Sequence, residues 1–236
     1  MATVKALLFD VFGTLVDWYG SIQERAESIA AREGIAVDGA RLVVLWRQRY
    51  APSMASVTSG ERPWCNLDQL HRESLDQVLA DLSVDLSRPA REELVAGWHE
   101  LRPWSDVVAS LPRLRARRIT AALSNGHVRL LVDLKRYAGL DFDTILSAEL
   151  ASSYKPEAIV YQTAARLLGL EPENVMLVAC HEWDLSGAAK AGLRTAHVTR
   201  PGEWGPGSVA APVSADMNAR DLTDLADQFD ALDRSP

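Results

Sequence analysis

Leu7-Leu8-Phe9-Asp10-Val11-Phe12-Gly13-Thr14-Leu15-Val16-Asp17 is an apolar run that stops at a carboxylate and turns on a glycine. Val4 to Phe9 is short and hydrophobic apart from Lys5, which suits a strand buried on both faces of a parallel sheet. Ligands of open α/β sheets sit just beyond the carboxyl ends of the strands, so Asp10 stands where chemistry is done. An isolated Asp there would read as a turn cap. Asp10 is not isolated, because other polar groups fall at equivalent places further along.

Working outward, Asp17 is followed by helices, with no convincing β-run until about Ile119. Ser21 to Arg32 places Ile22, Ala26, Ile29 and Ala30 on one helical face, and Gly34 ends it. Asp38 to Tyr50 reads as a second helix carrying Arg47 and Gln48, and Pro52, Ser53, Ser56, Gly60 and Pro63 read as a loop. Asn66 suits the N-cap of a third helix, and Pro89 the start of a fourth. From Pro103 strands and helices alternate. Ile119 to Leu123 ends in Ser124-Asn125-Gly126, a helix covers Val128 to Ala138, and Thr144 to Leu146 is a short strand. Pro156 suits the first turn of a helix to Leu168, with Lys155 opening it. Val175 to Val178 runs into Ala179 to Asp184, a short helix surrounds Gly187 to Lys190, Thr195 to Val198 is the last strand, and Asp221 to Leu232 closes the chain. This alternation predicts an α/β fold with a doubly wound parallel sheet as core, residues 1–17 and 99–236, and an inserted helical cap, residues 18–98. Strand ends at Asp10, Ser124-Asn125 and His181 to Asp184, with Lys155 beside them, then converge on one edge.

Composition narrows the function. With 236 residues, 47% hydrophobic and 24% charged, the chain suits a globular core plus an accessory domain. A formal charge of −7 argues against nucleic acid as main partner, and the basic cluster Arg113 to Arg118 reads as the solvated end of a helix. Cys65 and Cys180 suggest neither a zinc site between them nor a disulfide scaffold. No segment reaches the roughly 18 apolar residues of a membrane span, and no signal peptide is evident, so a soluble cytoplasmic protein is expected.

Four motifs in order, Asp10 to Leu15, Leu123 to Gly126, Tyr154-Lys155-Pro156 with Tyr161, and Trp183-Asp184, resemble the haloacid dehalogenase superfamily, and within it the L-2-haloacid dehalogenases. Leu45-Trp46-Arg47-Gln48 looks like that family's halide-binding helix. Phosphate-transferring members usually carry a second Asp two residues after the nucleophile to protonate the leaving alkoxide, and this chain has Phe12. A halide leaves as a stable anion and needs only hydrogen bonds. Those members often place another acid where this chain has Cys180, so no metal and no cofactor are expected.

The resemblance implies that Asp10 attacks the halogen-bearing carbon and forms an ester, which water oriented by Asp184 hydrolyses to a 2-hydroxy acid. It also implies that Lys155 holds both carboxylates, that Arg47 and Asn125 bind the halide with Trp183 as an aromatic wall, and that Ser124 holds the substrate carboxylate. Thr14 and Tyr161 are expected to orient Asp10 and the substrate. His181 stands where relatives often carry Asn and is expected to preserve water activation. With Thr199 to Pro206 it looks closer to a branch containing fluoroacetate-active proteins, predicting a tighter pocket for small haloacetates. A haloacid is the expected partner, and related enzymes commonly form homodimers. Preferred halogen, chain length and stereochemistry stay open. The rival readings are a magnesium-dependent phosphatase and a catalytically silent binding protein.

Overall fold

The structure is a computed structural model and describes residues 3–209 and 213–234. Its first strand, β1 (Ala6–Phe9), is completely buried, as its uninterrupted apolar run requires. The other strands of the main sheet are β4 (Ile119–Ser124), β5 (Thr144–Ser147), β6 (Val175–Ala179), β7 (Arg194–Val198) and β8 (Met217–Ala219). Every pairing is parallel, in the order β5-β4-β1-β6-β7-β8. The order reverses about β1, which lies between β4 and β6. Beyond the carboxyl ends of these three strands lies the crevice in which such sheets bind ligands.

Two short antiparallel segments, β2 (Val16–Asp17) and β3 (Arg102–Pro103), carry the chain out of this layer and back. Between them run α1 (Trp18–Glu33), α2 (Gly39–Gln48), α3 (Tyr50–Thr58), α4 (Leu67–Asp81) and α5 (Arg88–Ala96). Local chemistry sets their ends. The Asp17 carboxylate accepts from the Gly20 amide at 2.8 Å, and Gly34 takes φ +70° at the other end of α1. Asn66 and Gln69 form a reciprocal capping box on α4. The helices meet the sheet through stacked rings: Phe12 lies edge-on to Trp98, and His71 stacks on Trp98 at 4.3 Å. Burial pushes His71 down to about 3, so this ring packs as a neutral aromatic.

The remaining helices are α6 (Val107–Arg115), α7 (Val128–Ala138), α8 (Ala158–Leu167), α9 (Glu182–Lys190) and α10 (Leu222–Arg234). Several local expectations change. The predicted loop after Tyr50 is α3, which accommodates Pro52 because a first-turn residue needs no intrahelical amide bond. Lys155 and Pro156 precede α8, whose N-cap is Glu157, so Lys155 sits in a buried turn and does not open the helix. α9 starts at Glu182, earlier than its apolar spacing suggested, and places Trp183 and Asp184 in its first turn. β2, β3 and β8 are too short, at two or three residues, to show a period in the sequence. Among the described residues no helix is long and apolar enough to cross a membrane.

Candidate active site

Asp10, one residue past β1, is buried at the sheet edge with both oxygens held. Oδ1 lies 3.2 Å from Lys155 Nζ, while Oδ2 accepts from Thr14 Oγ1 at 2.8 Å and lies 3.0 Å from His181 Nδ1. Burial alone would raise this carboxyl, but the Lys155 charge, the His181 bond and charge, and Thr14 together hold it well below the ordinary carboxylate value. Asp10 is therefore an anion with its lone pairs oriented. Lys155 is fully buried too, and its pull from Asp10 and Asp184 outweighs the cost of burial and raises it.

Asp184 is 0% exposed, and both its oxygens are engaged: Oδ2 by Lys155 Nζ at 2.6 Å and Oδ1 by the Tyr161 hydroxyl at 2.6 Å. Burial, with the Asp10 charge nearby, pushes its carboxyl up. A group so enclosed fixes Lys155 and is poorly placed to take a proton from water. Tyr161, expected to touch the substrate, is itself fully buried and spends its hydroxyl on Asp184. Ser124 is likewise fully buried, and its hydroxyl accepts the Gly126 amide at 3.2 Å.

The cavity beside the site measures about 450 Å³. Lys155, His181 and Arg47 supply its charged lining, and Tyr50, Met54, Trp183 and Trp204 its main apolar walls. Arg47 is buried, with its guanidinium 4.0 Å from the Tyr50 ring centre and 5.2 Å from that of Trp18. Its Nη1 has no hydrogen-bond partner among the described residues, an expensive state for a buried cationic donor unless an anion meets it. Arg47 faces the site because its neighbour Trp46 anchors α2 in the helical layer, donating to the His71 carbonyl at 3.0 Å. Asn125 accepts the Lys155 amide at 2.8 Å and points its Nδ2 at Met54 Sδ, 3.2 Å away. A thioether is a weak acceptor, so this donor is available to an anion. Trp183 is 40% exposed and stacks on His181 at 5.5 Å, forming a wall. The cavity as a whole has more room than a haloacetate fills.

Sequence reading missed Glu203. Its Oε1 lies 2.9 Å from His181 Nε2 and accepts from Trp18 Nε1 at 3.0 Å. Burial would raise Glu203, yet the bond and charge of His181 lower it. Burial also opposes a charged His181, but Cys180 beside it and the bonds to Asp10 and Glu203 raise it well above the ordinary histidine value. The only signal for Glu203 in the sequence was its place in the Thr199 to Pro206 stretch; in the structure Gly13, at φ +84°, leaves it room, since a Cβ there would lie 2.5 Å from Glu203 Oε1. This charged pair has a pH signature. A raised His181 stabilises the fold fully below its ordinary value of 6.5 and loses that contribution as pH rises through the folded value. A lowered Asp10 contributes above 3.8 and loses its contribution as pH falls through the folded value. Thermal unfolding should show wild type exceeding His181→Gln most between about pH 4 and 6.5. A gap that widens toward alkaline pH contradicts this coupling.

The donor set does not suit magnesium. Lys155 stands between Asp10 and Asp184, Cys180 offers sulfur, and a hard cation takes about six oxygens. Cys180, His181 and Glu203 bring ligand atoms within 4.8 Å of one another, with His181 held between Asp10 and Glu203.

Comparison with known proteins adds to this geometry. A family model described as haloacid dehalogenase-like hydrolase matches residues 4–192. The chain is 30% identical over 220 residues to (S)-2-haloacid dehalogenase 4A of Burkholderia cepacia, covering 92% of each. It resembles the crystal structure of the L-2-haloacid dehalogenase PA0810 with TM-score 0.91 and 43% identity, over 97% of this chain and 99% of that one. For the defluorinating L-2-haloacid dehalogenase Rha0230 the TM-score is 0.93 and the identity 42%, over 96% and 95%.

Proposed function

Because this chain belongs to the haloacid dehalogenase-like hydrolases, we propose that it hydrolyses small (S)-2-haloacids to 2-hydroxy acids through an ester on Asp10. The observation that carries this reading is a buried, doubly cation-held carboxylate beside a cavity containing an arginine nitrogen without a partner among the described residues. A phosphatase reading lacks an acid for the leaving oxygen, since Phe12 is packed edge-on against Trp98.

In the first step an Asp10 oxygen attacks the substrate's second carbon in line, the carbon–halogen bond breaks, and the halide leaves with the bonding electrons. Arg47 and the Asn125 amide donate to anionic groups of the substrate, and no proton is required. In the second step water adds to the Asp10 acyl carbon and the ester bond breaks, returning Asp10 and releasing the hydroxy acid. His181, protonated while Asp10 is an anion, first passes its Nε2 proton to Glu203. The freed base then takes the water proton and returns it to the departing alkoxide, and the proton left on the Asp10 carboxyl goes to solvent. Alkylation removes the Asp10 charge that helps keep the ring protonated, so ester formation itself turns His181 toward a base. The helices of residues 18–98 act as a cap, supplying Arg47, Tyr50 and Met54 to the cavity.

Glu203→Gln should slow steady-state turnover about 10²-fold, the lower end for losing acid–base assistance, while leaving a rapid first burst of halide. Intact-protein mass spectrometry should then find the ester accumulating. Loss of the burst itself would move Glu203 to the first step. The overall reading is tested by halide release from chloro-, bromo- and fluoroacetate and both enantiomers of 2-chloropropionate, with and without chelator. Release from the (S)-enantiomer that persists in chelator is expected, and fluoride release is expected by similarity to the defluorinating relative. Chloroacetate turnover without any fluoride release would remove the defluorination assignment. Phosphate-ester activity lost on chelation, with no halide released, would replace the whole reading.

A further inference from the structure

Away from Asp10, a second group of polar side chains meets where α4 approaches the start of α7. Asp68 is the second residue of α4, His99 ends the single turn that follows α5, and His127 immediately precedes α7. His99 Nε2 lies 3.1 Å from both Asp68 oxygens, and His127 Nε2 lies 3.5 Å from Asp68 Oδ2. All three ligand atoms fall within 4.8 Å of one another. Tetrahedral zinc ligands at 2.0–2.1 Å from the ion stand about 3.3 Å apart, close to the first two spacings.

Two further observations point to a ligand. The other nitrogen of His99, Nδ1, lies 3.0 Å from Asp133 Oδ2, the carboxylate–histidine arrangement that orients a metal-binding imidazole. His127 is only 6% exposed, and the 3.5 Å approach of its Nε2 to Asp68 is a weak contact for so buried a ring. Ions can enter from a groove of about 750 Å³ bordered by Asp68, His99 and Asp133.

We propose that Asp68, His99 and His127 bind one divalent transition ion of the zinc type, with Asp133 orienting His99. Two imidazoles and one carboxylate favour such an ion over magnesium or calcium, which take oxygen shells. The fourth coordination position opens to the groove. The ion ties α4 of the helical layer to the loop between β4 and α7, two residues past Asn125.

The test uses chelator-stripped, full-length protein titrated with Zn²⁺ in a calorimeter, with Co²⁺ as a visible-spectrum reporter. The expected result is one ion per chain, a higher unfolding midpoint with Zn²⁺, and no competition by excess Mg²⁺. His99→Gln and His127→Gln should each abolish uptake, and Asp133→Asn, which removes no ligand, should weaken it roughly 10- to 100-fold. Unfolding midpoints measured in chelator establish that each variant is folded, and Asp133→Asn carries the test if a histidine variant is not. No zinc uptake by the wild type overturns the proposal. So does uptake that survives the histidine substitutions but is lost in Cys180→Ser, which would place the ion on Cys180, His181 and Glu203.

Discussion

Asp10→Asn should lower dehalogenation on the order of 10⁶-fold, the scale on which loss of a covalent nucleophile is felt. An amide has no anionic oxygen to offer carbon, and no other described carboxylate can replace it. Asp184 is turned into Lys155 and Tyr161, and Glu203 is held by His181 and Trp18. The fold should survive, because an asparagine oxygen can still accept from Thr14 or Lys155. Unfolding midpoints would establish this. Isotope tracing gives the sharper result. With enzyme in excess and a single turnover in ¹⁸O-water, the label should enter the Asp10 side chain, and the product hydroxyl should carry the former carboxylate oxygen. Label found directly in the product, with none in Asp10, would mean that water attacks the substrate carbon and Asp10 is only a base.

Lys155→Met should lower turnover by roughly 10²- to 10⁴-fold, the range for a positioned charge at the reacting group. It should also cost about 3–5 kcal/mol of stability, because two buried carboxylates lose the ammonium they share. Like charges so placed cannot both ionise easily, so one of the pair is driven toward its protonated form. In the wild type Asp10 is held low enough to stay ionised through the weakly acid range. In Lys155→Met the residual activity should therefore fall off on the acid side at a higher pH than in wild type. Paired pH–rate profiles and urea unfolding measure both effects. Wild-type rate and stability together would mean that this salt-bridge geometry does not govern the site.

Much of the site was legible because strand ends announce themselves. Asp10, Asn125 and Asp184 each follow an apolar run that can only be a buried strand, and the parallel order brings such ends together. Lys155 was legible as part of a motif, although the helix expected to start with it begins three residues later. Arg47 was named but not oriented, since Leu42 to Trp46 are apolar throughout and give no preferred face. Trp46 settles the orientation by burying its ring among α4 residues.

The sequence by itself determined the parallel core and the helical insertion after the first strand, because buried strands and helix caps are written in local periodicity, and it placed Asp10 and Lys155 in motifs whose resemblance implies a nucleophile and its lysine. Only the tertiary structure decided how the supporting roles divide. Asp184 and Tyr161 are enclosed around Lys155, while His181 faces Asp10 with Glu203 behind it, drawn from an irregular loop 22 residues further along. The Asp68, His99 and His127 group arises in the same way. Such contacts depend on where separately folded segments cross, and no spacing along the chain encodes a distance between side chains that meet only after packing.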